Sequence, residues 1–101
     1  MPEVKTKPVR AELVDSIIDA PAGSIKWFKG NGVPTAGFNF QCPCGCGTMG
    51  SVNVAGAARP LWAWDGNWDA PTIHPSIRLG TGPSDASHWH GWLRNGVWES
   101  C

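Results

Sequence analysis

Cys42-Pro43-Cys44-Gly45-Cys46-Gly47 is the stretch around which the chain is organised. Three of its four cysteines fall within five positions here, each one residue from the next. In a straight strand, side chains at i and i+2 share a face but stand about 7 Å apart. Thiolates on one tetrahedral zinc must approach to about 4 Å, because Zn–S bonds are about 2.3 Å long. The chain must therefore bend, and Pro43, Gly45 and Gly47 permit the bend. A disulfide between cysteines two apart would be strained, and three free thiols in a glycine-proline turn make a poor core. The segment reads as a zinc knuckle holding Cys42, Cys44 and Cys46, with a fourth ligand still to be found.

Working outward, the flanks read as strands. Ala36–Gln41 alternates, with Phe38 and Phe40 on one face, and the alternation resumes after the knuckle through Val52 and Val54. Ser24–Phe28 is a further strand, closed by the turn signal Lys29-Gly30-Asn31-Gly32. The stretch Val9–Ile18 fits helix and strand patterns alike, and is read as extended because the downstream segments are β-like.

Leu61–Trp64 is strand-like and ends in the turn Asp65-Gly66-Asn67. In Ala70–Ile77, Pro71 and Pro75 exclude a helix interior and a central strand, so a stiff edge or loop is expected. Gly80–Ser84 reads as a flexible loop. His88–Arg94 and Val97–Glu99 then form a hairpin through Asn95-Gly96, the strongest two-residue hairpin signal.

With 101 residues, seven Trp, no Tyr and thirteen Gly, the expected fold is mainly β. It is a small antiparallel single domain over residues 9–101, stabilised by zinc and preceded by a flexible arm at 1–8. The formal net charge is zero, which gives no footprint for nucleic acid or an anionic membrane. No apolar run approaches a membrane span, and Met1–Lys5 lacks a signal-peptide pattern. Cysteines grouped for metal then point to a reducing cytoplasm.

His88 and His90 lie two apart on one predicted strand, so both face the same way and either could complete a site of three thiolates and one imidazole. Ser76, held behind Pro75, could be a nucleophile activated by a hairpin histidine; His74 is a further candidate base. Asp65, Asp69 and Asp85 could orient a histidine or simply form turns. The tryptophans read as core rather than as a ligand platform, with Trp62 and Trp64 sharing a face.

Together with the knuckle, Trp64-Asp65-Gly66-Asn67, Pro71–Ile77 and His90–Gly96 form a set of motifs in an order that resembles the BubE-like family. Its members are small bacterial and phage proteins, some encoded beside ubiquitin-like conjugation operons. The resemblance covers residues 36–98 and implies a protease acting on a ubiquitin-like or other protein substrate. It puts the catalytic serine at Ser76, the catalytic histidine at His90 and the knuckle ligands at Cys42, Cys44 and Cys46. Family members tend to carry a serine where this chain has His74, and a cysteine where it has Trp89. If that cysteine is a ligand, His88 is its natural substitute here. Family members carry a longer C-terminal extension, and any substrate groove it builds is not expected here. The expected function is a zinc-stabilised serine–histidine hydrolase; the alternative is a non-catalytic zinc-binding module that binds a host or defence-related protein.

Overall fold

The computed structural model describes residues 4–57, 59–80 and 87–100. These form eight strands: β1 (Val9–Arg10), β2 (Ile25–Gly30), β3 (Val33–Gln41), β4 (Met49–Asn53), β5 (Ala63–Trp64), β6 (Ile73–Gly80), β7 (Ser87–Arg94) and β8 (Val97–Ser100). All strand pairs are antiparallel, and the described residues contain no helix. The all-β reading therefore holds. Of Val9–Ile18, only β1 and a single parallel bridge from Leu13 to Ile25 belong to a sheet.

The strands divide into a five-stranded sheet in the order β1-β8-β7-β6-β5 and a three-stranded sheet in the order β2-β3-β4. Their apolar faces meet in one core. Ile25, Phe38, Phe40 and Val52 come from the smaller sheet, and Ile73, Ile77, Leu79, Trp89, Leu93 and Trp98 from the larger. Phe40 and Trp98 join the two layers, with ring centroids 4.9 Å apart. The indole N–H of Trp98 donates to the Gly23 carbonyl at 2.8 Å, which satisfies the one polar atom of a fully buried side chain.

The tryptophans divide between core and rim. Trp89 and Trp98 are fully buried. Trp62 and Trp64 pack against the core only in part, and Trp68 is 56 % exposed. Trp64 lies between Trp27 and Trp68, at centroid distances of 4.8 and 6.0 Å.

Two of the hairpin turns show how closely the backbone follows its residues. Asn95 and Gly96 take positive φ of 49° and 73°, the twist that a two-residue turn needs to close β7 onto β8. Gly45 and Gly47 also have positive φ, at 85° and 87°, and turn the knuckle between β3 and β4.

One expectation is corrected. In the proline-bearing segment, residues 70–72 lie outside the strands as expected, but Ile73 and His74 are interior to the sheet, in β6 between β5 and β7. Its tolerance of Pro75 has a local cause. From Ile73↔Leu93 to Ile77↔Gly91, β6 advances four positions while β7 advances two. The surplus residues form a bulge, and a bulged residue owes no N–H to the ladder. On the other side β5 pairs only with Ile73 and His74.

Residues 81–84 of the loop expected at Gly80–Ser84 lie outside the described residues, as do Asp85 and Cys101. Within the segment read as an arm, the Val4 N–H donates to the His88 carbonyl at 2.9 Å and the Thr6 N–H to Ser100 Oγ at 2.8 Å.

Candidate functional site

β7 positions both histidines. Trp89 and Leu93 point into the core, so the alternation sends His88, His90 and Trp92 to the opposite face. The same logic on β6 buries Ile77 and Leu79 and leaves Arg78 outside.

His88 reaches the knuckle. Its Nε2 lies 3.1 Å from Cys44 Sγ, and Cys42 Sγ lies 3.2 Å from Cys44 Sγ. The ligand atoms of Cys42, Cys44, Cys46 and His88 all fall within 4.8 Å of one another. That spread suits one tetrahedral ion, and three thiols with one imidazole are a donor set consistent with a zinc site. Of the two histidines weighed as fourth ligand, His88 is the one the fold brings to the cysteines.

The fold holds this group in place from both sides. Cys42 is fully buried at the end of β3, where its N–H donates to the Thr48 carbonyl at 2.8 Å. The Gly45 N–H donates to the Cys42 carbonyl at 3.0 Å, closing the turn. Without a metal the thiols differ sharply in acidity. Burial, reinforced by the neighbouring thiols, pushes Cys42 far above the ordinary thiol range. For Cys46, burial acts upward but is outweighed: the Thr48 hydroxyl and N–H, with help from Cys44 and Cys42, lower it to about 6. A bound divalent cation would favour the thiolate at every position.

Ser76 and His90 are brought together. Ser76 Oγ lies 2.8 Å from His90 Nε2, and both residues are half-buried. Ser76 precedes the core residue Ile77 and so, by strand alternation, faces outward with Arg78 on the side of His90, inside the bulge between Ile73 and Ile77. The Trp62 indole N–H donates to the Ser76 carbonyl at 3.3 Å, tying the bulge to the segment before β5.

Other candidates have different roles. His74 is exposed and stacks on Trp92, with centroids 6.1 Å apart and planes at 22°. Asp65 forms a turn, its Oδ1 accepting from the N–H groups of Asn67 and Thr72. The sequence reading missed the far side of the site, where the Arg94 guanidinium lies 4.5 Å from the Trp92 ring centroid. Alternation alone would have put Trp92 and Arg94 on the face of His90. It also missed Thr48, whose proximity to Cys46 follows from a turn that composition does not specify.

Compared with known proteins, residues 14–101 match the family model described as the bacterial ubiquitination-like system serine protease, BubE. No curated protein and no solved structure matches the chain.

Proposed function

The chain belongs to the BubE family of bacterial ubiquitination-like system serine proteases, and from that premise we propose that it is a peptidase with Ser76 as nucleophile and His90 as general base. The 2.8 Å approach of Ser76 Oγ to His90 Nε2 carries this reading. Two side chains 14 residues apart meet within the reach that proton transfer requires.

In the reaction, His90 Nε2 takes the hydroxyl proton as Ser76 Oγ bonds to the scissile carbonyl carbon. The tetrahedral intermediate collapses as the imidazolium gives its proton to the leaving amine, leaving an ester on Ser76. Water, deprotonated by the same imidazole, then cleaves the ester and restores the serine. The substrate is a ubiquitin-like or other protein.

Zinc is the metal we assign to Cys42, Cys44, Cys46 and His88. When bound, it supplies a structural crosslink between the knuckle and β7. With all four positions taken by protein, the site has the closed form of a structural centre. The reducing cytoplasm is the compartment that keeps such thiols available.

A serine-directed fluorophosphonate tests the reading. It should label Ser76 in the native protein and fail in Ser76→Ala and His90→Ala, while both variants retain their metal and melting temperature. A native protein that resists the probe would overturn the reading in favour of a non-catalytic zinc-binding module.

A further inference from the structure

The outer face of β6 and β7 around Ser76 carries two arginines and three histidines. Arg78, Arg94, His74, His88 and His90 lie there or at its margin, and on β8 Glu99 sits opposite Trp92. These groups differ in what already holds them. Arg94 is engaged twice, over the Trp92 ring and 3.9 Å from Glu99 Oε1. His74 is stacked on the other side of the site, and His88 faces the cysteines. Arg78 is exposed and has no ion-pair or hydrogen-bond partner among the described residues.

Its position is set by register. Arg78 stands directly opposite His90 in the β6–β7 ladder, two residues beyond Ser76. Directly opposed residues hold their Cβ atoms about 5 Å apart, so the guanidinium starts from beside the imidazole. The regular pairing of Ile77, Arg78 and Leu79 resumes after the bulge, with Ile77 and Leu79 anchored in the core. A long cationic side chain with a fixed base therefore stands at the edge of the Ser–His pair, with no partner among the described residues.

We propose that Arg78 is a specificity residue that binds an acidic side chain on the acyl part of the substrate, beside the bond that is cut. This rests on the Ser76–His90 reading and extends it to substrate class. The acyl part is the natural occupant because it stays bonded to Ser76 throughout the covalent intermediate, within reach of a group two residues away. Guanidinium and carboxylate match as a planar two-point pair. A carboxylate there also offsets the charge of Arg78, whereas a basic substrate residue would meet Arg78 as a like charge.

Two peptidyl fluorophosphonates test this, identical except for Glu or Lys in the residue next to phosphorus. In either case the Ser76 oxygen bonds to phosphorus, fluoride leaves and the serine proton is released, so labelling rates follow by intact mass. The Glu probe should label the native zinc-loaded protein about fivefold faster than the Lys probe, the ratio expected for a partly exposed ion pair. Arg78→Lys should keep the preference and Arg78→Glu should reverse it, which a merely structural role for Arg78 would not do. Equal rates in the native protein, or an unchanged order in Arg78→Glu, would overturn the proposal while leaving Ser76 and His90 in their roles. If neither probe labels the native protein, the Ser–His reading fails, and this inference with it.

Discussion

His88 and His90, two positions apart on β7 and on one face of it, serve different partners: His88 Nε2 lies 3.1 Å from Cys44 Sγ, and His90 Nε2 lies 2.8 Å from Ser76 Oγ. Side chains two apart on a strand are displaced by about 7 Å, enough for one strand to serve two sites without a bend.

The division predicts a clean separation of variants. His88→Ala should lose metal on dialysis and lower the melting temperature, since it opens a four-ligand site whose metal can contribute on the order of 10 kcal/mol of folding energy. His90→Ala should retain one metal per chain, yet lower hydrolysis on the order of 10⁴-fold or more. Metal analysis on both variants checks the assignment, and metal loss from His90→Ala rather than His88→Ala would reverse it.

Thiol chemistry gives a pH-dependent prediction. In the metal-free protein Cys46 is exposed and lowered to about 6, whereas Cys42 is buried and raised. Iodoacetamide at pH 7 should therefore modify Cys46 before Cys42, with a rate that falls as pH drops through about 6. Linkage has the matching sign. The Cys46 thiolate stabilises the metal-free fold in full above its ordinary value of 9.0, and that contribution is lost as pH falls through about 6. Metal loading should protect the thiols from alkylation.

Gly91 separates His90 from Trp92, and a methyl group there would strike the Glu99 carbonyl and the Trp89 ring. Neither obstacle is a flexible chain end, so Gly91→Ala should destabilise by about 2–3 kcal/mol. Gly32→Ala is the control: its new methyl would meet nothing within 4 Å, and only the φ of 70° opposes it, at about 1 kcal/mol. Urea midpoints of the two variants should differ in that order.

Trp98→Phe should cost about 2 kcal/mol. The smaller ring leaves the Gly23 carbonyl without its 2.8 Å donor and opens space against Phe40 and Trp89. Chemical denaturation measures the loss, and a change below about 0.5 kcal/mol would show that the indole N–H is dispensable.

What the sequence disclosed depended on the range of the interactions. The cysteine knuckle and the Asn95-Gly96 turn are set by neighbours within a few positions, and both were legible. The common face of His88 and His90 came from strand alternation. Their separate assignments did not, because Cys44 and Ser76 approach through a sheet arrangement that no local pattern records; the resemblance supplied them. Pro75 misled for a related reason. A proline excludes an ordinary interior strand, but the bulge that accommodates it exists only in the pairing of β6 with β7. The burial of Trp89 and Trp98, with Trp62 and Trp64 left at the rim, likewise depends on how two sheets stack.

The pairing of β1 with β8 brings Val9 opposite Trp98, and Thr6 bonds to Ser100 beside it. Among the described residues, the first strand to be synthesised is thus the partner of the last. On a translating ribosome β1 has no ladder to join until β8 has left the exit tunnel, and Trp98, which joins the two layers, arrives in the same step. The smaller sheet and its cysteines can form earlier, from neighbouring segments of chain. Assembly is therefore set to finish only once β8 has emerged, with the nascent chain exposing the apolar face of β3 until the β7–β8 hairpin closes over it.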